Sequence, residues 1–131
     1  MIFVDTGAFF AYAIPDDEHH QAAAQWFRQN RLPLITSDYV VDEILTLMRS
    51  RAPGIRSTEL GELLFSGKLA DLYYLTEDDI QSAWQVFRTY TDKEWSFTDC
   101  TSKVIIEKLG IIHAFSFDQH FRQFGTVTVV P

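Results

Sequence analysis

The stretch MIFVDTGAFFAY, residues 1–12, sets an apolar run at Ile2–Val4 directly against a carboxylate at Asp5 and continues into a helix-forming segment from Thr6 to Tyr12. A short apolar run with a β-branched bias reads as a buried strand. The helix behind it is stopped by Pro15, because proline cannot continue a helical hydrogen-bond ladder. Strand, acid, helix is the repeating step of an open α/β sheet. In such sheets ligands collect at the carboxyl ends of the strands. Asp5 therefore stands where a binding site is expected.

The same alternation continues along the chain. Asp16 or Asp17 is placed to cap a second helix reaching about Asn30, with Ala22, Ala23, Trp26 and Phe27 on its inner face. Leu34–Thr36 reads as a second strand. Ser37 or Asp38 then opens a helix to about Arg49, on which Val40, Val41, Ile44, Leu45, Leu47 and Met48 recur at helical spacing. Pro53-Gly54 breaks it, Thr58–Phe65 forms another helix closed near Gly67, and Leu72–Leu75 reads as a third strand. Thr76 and Asp79 resemble a capping box for a helix that uses Ile80, Ala83, Trp84 and Phe87. A further helix runs from about Thr98 to Gly110, followed by strands at Ile111–Phe117 and Val127–Val130. Strands alternating with helices predict a three-layer α/β/α sandwich around a mostly parallel sheet. The 131 residues suit one domain over 1–131, with no internal repeat or interdomain linker.

Asp118 repeats the context of Asp5, since it too follows an apolar strand and precedes a helix or turn. Asp99 lies in the first turn of a helix, where the dipole favours a carboxylate and where stabilising the terminus is an equally good role. Glu43 sits inside the strongest amphipathic helix. At about 100° per residue the apolar stripe centres near Val41, Ile44 and Met48, and Glu43 falls closer to it than Asp42 does. Clustered carboxylates repel one another unless a cation sits among them, and hard Mg²⁺ or Mn²⁺ prefers such oxygen ligands. Two ions about 4 Å apart can activate water and stabilise the leaving oxygen of a phosphodiester. Asp5, Glu43, Asp99 and Asp118 are thus the candidate metal ligands and catalytic residues.

Composition agrees. The formal charge of −7 argues against a protein that coats nucleic acid by bulk positive charge. It suits a site that carries excess carboxylates when empty, and two divalent cations would offset a little over half of it. The chain is 47% hydrophobic and 22% charged, as a soluble globular protein should be. Cys100 is the only cysteine, so no intrachain disulfide forms, which is compatible with a reducing cytoplasm. The start MIFVD has no basic leader and does not read as a signal peptide. The apolar run Ala8–Ile14 falls far short of the roughly 20 residues that span a bilayer. A cytoplasmic protein without a membrane partner is expected.

Four motifs together resemble the PIN-domain family. VDTGAFFAY is similar to the family's opening; TSDYVVDEILTLM to its second acidic motif, which places the glutamate on Glu43 and not Asp42; FTDCTS to its third, centred on Asp99; and FSFDQHF to its last, giving Asp118. The resemblance runs from Met1 nearly to Pro131, and within the family it is strongest to the VapC-type toxins of bacteria and archaea. It implies a Mg²⁺- or Mn²⁺-dependent endoribonuclease held in check by a cognate antitoxin, with RNA as substrate. A homodimer is also expected. The Ser37–Phe65 helical pair offers a groove for an amphipathic partner helix, and an acidic cleft attracts a basic side chain of the partner.

Other residues read more plainly. Thr6 and Thr98 are helix caps that could also orient a ligand. In Asp16-Asp17-Glu18-His19-His20 the adjacent histidines point about 100° apart, a poor chelate and a good solvated helix start. His120 lies near Asp118 and could touch RNA. Arg49, Arg51 and Arg56 form the densest basic cluster. Cys100 has no evident base and reads as a packed residue, and Trp26, Trp84 and Trp95 read as core. Two competing functions remain. A haloacid-dehalogenase-type phosphohydrolase would want a second Asp where Gly7 stands, and a non-catalytic binding module would not need all four acids. Walker-type, GxGxxG and GxSxG patterns are absent from the sequence.

Overall fold

The computed structural model describes residues 1–51 and 54–131; the expected break at Pro53 lies outside them. Five strands form one sheet in the order β3-β2-β1-β4-β5, and every pairing is parallel. These are β1 (Ile2–Val4), β2 (Leu34–Ser37), β3 (Asp71–Tyr73), β4 (His113–Phe115) and β5 (Thr128–Val130). The connecting helices are α1 (Thr6–Ala13) and α2 (His20–Gln29), then α3 (Asp38–Arg51) and α4 (Ile55–Phe65), then α5 (Glu77–Thr89) and α6 (Phe97–Lys108), and last α7 (Gln119–Arg122).

The chain steps from β1 to β2 to β3 in one direction, then returns past β1 to β4 and β5. Parallel crossovers are right-handed, so the helices of the first run cover one face and those of the return run cover the other. Side chains confirm the division. Phe115 of β4 packs against Trp26 and Phe27 of α2, with ring centroids 4.1 and 5.2 Å away. Phe3 of β1 stacks on Phe121 of α7. The architecture is the expected three-layer sandwich. Phe3, Phe9, Phe115, Phe121, Ile44 and Met48 fill its core, each burial contributing about 1.5–3 kcal/mol before the entropy of ordering is subtracted.

Strand β1 is locked to its neighbours at the end that matters. Thr36 Oγ1 donates to the Val4 carbonyl at 2.9 Å, and the Asp5 N–H donates to the Phe115 carbonyl at 3.2 Å. The strand order reverses between β1 and β4, so a crevice opens at their carboxyl ends.

Several boundaries differ from the sequence reading. Helix α2 starts at His20, because Asp16 and Asp17 lie in a turn where Asp17 Oδ2 accepts the His19 N–H at 2.9 Å. Ala22 is exposed, while Ala23 takes the buried position. Strand β3 begins at Asp71, α4 begins at Ile55, and β4 is shorter than Ile111–Phe117. Trp84 and Phe87 are not core residues but 47% and 43% exposed. The Thr76–Asp79 capping box does form. Asp79 goes further: it accepts from the Tyr73 hydroxyl at 2.6 Å and from Lys108 Nζ at 2.9 Å, tying α5 to β3 and α6. Burial opposes its ionisation, yet the bonds from Tyr73, Thr76 and Lys108 outweigh that and hold its carboxyl well below the usual range. Among the described residues no helix is long and apolar enough to cross a membrane.

Candidate metal centre

Asp5 leaves the carboxyl end of β1 and caps α1, its Oδ1 accepting the Ala8 N–H at 3.0 Å. Its Oδ2 accepts the Ser116 hydroxyl at 2.5 Å. Burial is the largest influence on this carboxyl and raises its pKa. The bonds from Ser116 and Ala8 pull it down, the charges of Asp118 and Asp99 push it up again, and the result is about 7. An acid buried among acids is disfavoured as an anion until a cation joins it.

Asp118 lies beyond the end of β4, in the bend that leads to α7. Its N–H donates to Ser116 Oγ at 2.9 Å, and its Oδ1 accepts the His120 N–H at 2.9 Å as the cap of α7. Asp99 sits in the first turn of α6. Its Oδ2 accepts the Ser96 N–H at 3.0 Å while Ser96 Oγ accepts the Asp99 N–H at 3.0 Å, a complete capping box. Burial raises the Asp99 pKa above the ordinary value; its bonds from Ser96 and His120 oppose the rise, and the Asp118 charge adds to it. Glu43 projects from the middle of α3 on its partly buried side, whereas Asp42 is exposed.

All four acids line one cleft of about 140 Å³, together with Thr6 and Thr98. The sequence reading made Thr6 a helix cap. The cap of α1 is Asp5 instead, and Thr6 Oγ1 is a buried hydroxyl without a hydrogen-bond partner among the described residues. Thr98 is likewise not the cap of α6; Ser96 is. Buried polar atoms are normally paired, so an orphaned hydroxyl on the wall of a carboxylate cleft fits a site made to receive a polar guest. An all-oxygen donor set of carboxylates is the chemistry that hard divalent cations select. The residues present therefore fit a hard divalent cation.

Two neighbours make contacts that the sequence did not show, although His120 was already read as lying near Asp118. Ser116 is buried inside an apolar stretch and gave no sequence signal. His120 Nδ1 lies 3.1 Å from Asp99 Oδ2 and 3.4 Å from Asp118 Oδ2, and ligand atoms of Asp99, Asp118 and His120 fall within 4.8 Å of one another. Ser96 could have been found, since a serine three residues before an acid is the capping-box pattern.

The chain matches the profile of the PIN domain over residues 2–127. It belongs to the PIN-domain family. This PIN domain is 30% identical over 131 residues to the 23S rRNA-specific endonuclease VapC20 of Mycobacterium tuberculosis, covering 100% of this chain and 99% of that protein. The crystal structure of M. tuberculosis VapC20, described as a sarcin-ricin loop cleaving toxin, superposes with a TM-score of 0.93 at 27% identity, covering 100% of both chains. The FitAcB structure from Neisseria gonorrhoeae is similar in fold alone, with a TM-score of 0.73 at 17% identity over 100% of this chain and 97% of that one. FitAB bound to an IR36 DNA fragment is similar in the same sense, at 0.72 and 16%, covering 99% and 94%.

The remaining candidates have other uses. His20 Nδ1 lies 2.8 Å from the Ala11 carbonyl, and His19 stacks flat on Phe117 with centroids 4.4 Å apart. Cys100 is buried, and burial, reinforced by the Asp99 charge, pushes its thiol up to about 11.

Proposed function

We propose that this PIN domain, a single unit over residues 1–131, is a Mg²⁺- or Mn²⁺-dependent endoribonuclease and the toxin of a toxin–antitoxin pair. The observation that carries the reading is the convergence of Asp5, Glu43, Asp99 and Asp118 on one cleft, in a chain alike to an rRNA endonuclease over its whole length.

Asp5, Glu43, Asp99 and Asp118 would hold the cation. When bound, it supplies Lewis-acid activation of water and neutralises charge at the phosphodiester. Asp5 is fixed on both oxygens, by Ala8 and Ser116, so its carboxylate does not turn. Thr6 lines the cleft, and its hydroxyl, without a hydrogen-bond partner among the described residues, would donate to a phosphate oxygen or to water there. Water is the nucleophile and no covalent enzyme intermediate forms. Cys100 is buried with a raised thiol pKa, and the Ser116 hydroxyl is buried and directed at Asp5.

Two surfaces suit protein partners. A groove of about 760 Å³ runs between α3 and α4, lined by Leu45, Gly61 and Phe65 with Arg49 at its side; it would take an amphipathic antitoxin helix. An aromatic face runs from α5 to the first turns of α6 and α3. Trp84 and Phe87 stack with centroids 6.0 Å apart, Phe87 meets Phe97 edge-on, and Phe97 leans on Tyr39. A second copy of the chain covers this face in the reading proposed here, giving a homodimer. The toxin would act in the cytoplasm.

The direct test incubates purified protein with a panel of RNAs, 23S rRNA first among them, in Mg²⁺, Mn²⁺ or chelator. Metal-dependent cleavage is expected. Binding of RNA without cleavage in any metal would favour the non-catalytic module.

A further inference from the structure

The three aspartates of the cleft have their protein hydrogen bonds on identifiable oxygens. Asp99 is the most asymmetric. Its Oδ2 takes both the Ser96 N–H at 3.0 Å and the His120 ring nitrogen Nδ1 at 3.1 Å, and among the described residues Oδ1 takes no protein donor. An ionised carboxylate only accepts, so this bond puts a proton on Nδ1 and aims it at Asp99. The same ring nitrogen is 3.4 Å from Asp118 Oδ2, while the His120 backbone N–H holds Asp118 Oδ1 at 2.9 Å. One residue thus fastens two acids that come from separate elements, the first turn of α6 and the bend after β4.

We propose that His120 is a positioning residue of the metal centre. Its Nδ1–H pins Asp99 Oδ2, so that Oδ1 is the oxygen offered to the cation, and its backbone sets Asp118 beside it. Partners of this kind fix ligand orientation without touching the ion, and removing one typically weakens metal binding about 10- to 100-fold. A direct ligand role for the ring suits the structure less well. Nδ1 is already engaged by carboxylates, and the cleft shared by the four acids is lined by Phe121 but not by His120. The inference rests on the metal-site reading above.

The test is Mn²⁺ binding measured by calorimetry and by thermal shift on the parent, His120→Ala, His120→Asn and Asp99→Asn. Asparagine places an amide N–H near the position of Nδ1 and so keeps the donor without the imidazole. His120→Ala should raise the half-saturating Mn²⁺ concentration at least about tenfold, with the ion-free melting temperature nearly unchanged, and His120→Asn should recover most of the loss. Parent-like binding by His120→Ala would overturn the proposal. So would His120→Asn binding as weakly as His120→Ala, which would make the ring itself a ligand. If His120→Ala does not fold, the comparison of His120→Asn with the parent decides by the same criterion. No Mn²⁺ binding by the parent, or full binding by Asp99→Asn, would instead overturn the metal-site reading itself.

Discussion

The Ser116 hydroxyl donates to Asp5 Oδ2 at 2.5 Å, joining residues 111 positions apart across the neighbouring strands β1 and β4. Ser116 Oγ in turn accepts the Asp118 N–H at 2.9 Å. One buried hydroxyl therefore sets the position of two of the four acids, and its bond favours the ionised form of Asp5. Ser116→Ala should lower the cleavage rate at neutral pH by roughly tenfold or more. It should also move the rising limb of the pH–rate profile to higher pH, because Asp5 becomes harder to ionise. Ser116→Thr, which keeps the hydroxyl, should lie between the two. A uniform loss of rate with an unmoved profile would count against this role.

The ion-free protein should become less stable as pH rises through a defined window. Asp5 has an ordinary pKa of 3.8 and a folded value of about 7. Between those values the folded state binds more protons than the unfolded state, so stability falls with rising pH and levels off above about 7. Three units correspond to a change on the order of 4 kcal/mol. Asp79 acts in the opposite sense and at lower pH. Its contribution is present above about 4 and is lost as pH falls, since its folded pKa lies below the ordinary value. Melting curves in chelator from pH 4 to 8 should show the decline for the parent and a flatter response for Asp5→Asn. Saturating Mn²⁺ should lessen the decline by mass action.

How much of this was legible before the structure follows from the physics of each residue. Asp5 was legible because strand, acid and helix are adjacent in sequence, and the local pattern fixes the acid at a strand end. Glu43 was placed by helical periodicity, which distinguishes a flanking position from an outward one. Trp84 and Phe87 were misjudged for the same reason periodicity succeeds elsewhere: it reports an apolar face but not whether the chain itself covers that face. Helix α2 was started too early because an aspartate that closes a turn and an aspartate that caps a helix look alike in sequence. Ser116 was illegible as a site residue, and His120 was legible only as a neighbour of Asp118 able to touch RNA, not as a partner of Asp99. Their roles depend on the bend after β4 bringing them to Asp5 and Asp99, contacts that only the fold creates.

Neighbouring acids on α3 should differ sharply in effect. Glu43 lines the cleft and Asp42 is exposed. Glu43→Gln should reduce cleavage by at least about tenfold, and Asp42→Asn should leave it nearly unchanged. Initial rates at saturating Mn²⁺ on folded variants make the comparison. A dead Asp42→Asn beside a fully active Glu43→Gln would reverse the assignment of the helix acid.

The aromatic face makes a prediction about assembly. A charge placed between stacked rings in a buried interface is left without a partner and is strongly unfavourable. Trp84→Glu should therefore convert a dimer to a monomer, as measured by sedimentation, with little change in thermal stability of the monomer because Trp84 is half-exposed in the single chain. A parent that is monomeric at all concentrations tested would remove the dimer from the account.

The central claim is that four carboxylates gathered at the switch point between β1 and β4 make this PIN domain a metal-dependent ribonuclease. Initial rates of RNA cleavage by the parent and by Asp5→Asn, each in Mn²⁺ and in chelator, test it most directly. The predicted result is cleavage by the parent that stops in chelator, returns when Mn²⁺ is restored, and falls at least about 100-fold in folded Asp5→Asn. Cleavage that persists in chelator, or that Asp5→Asn carries out as fast as the parent, would contradict it.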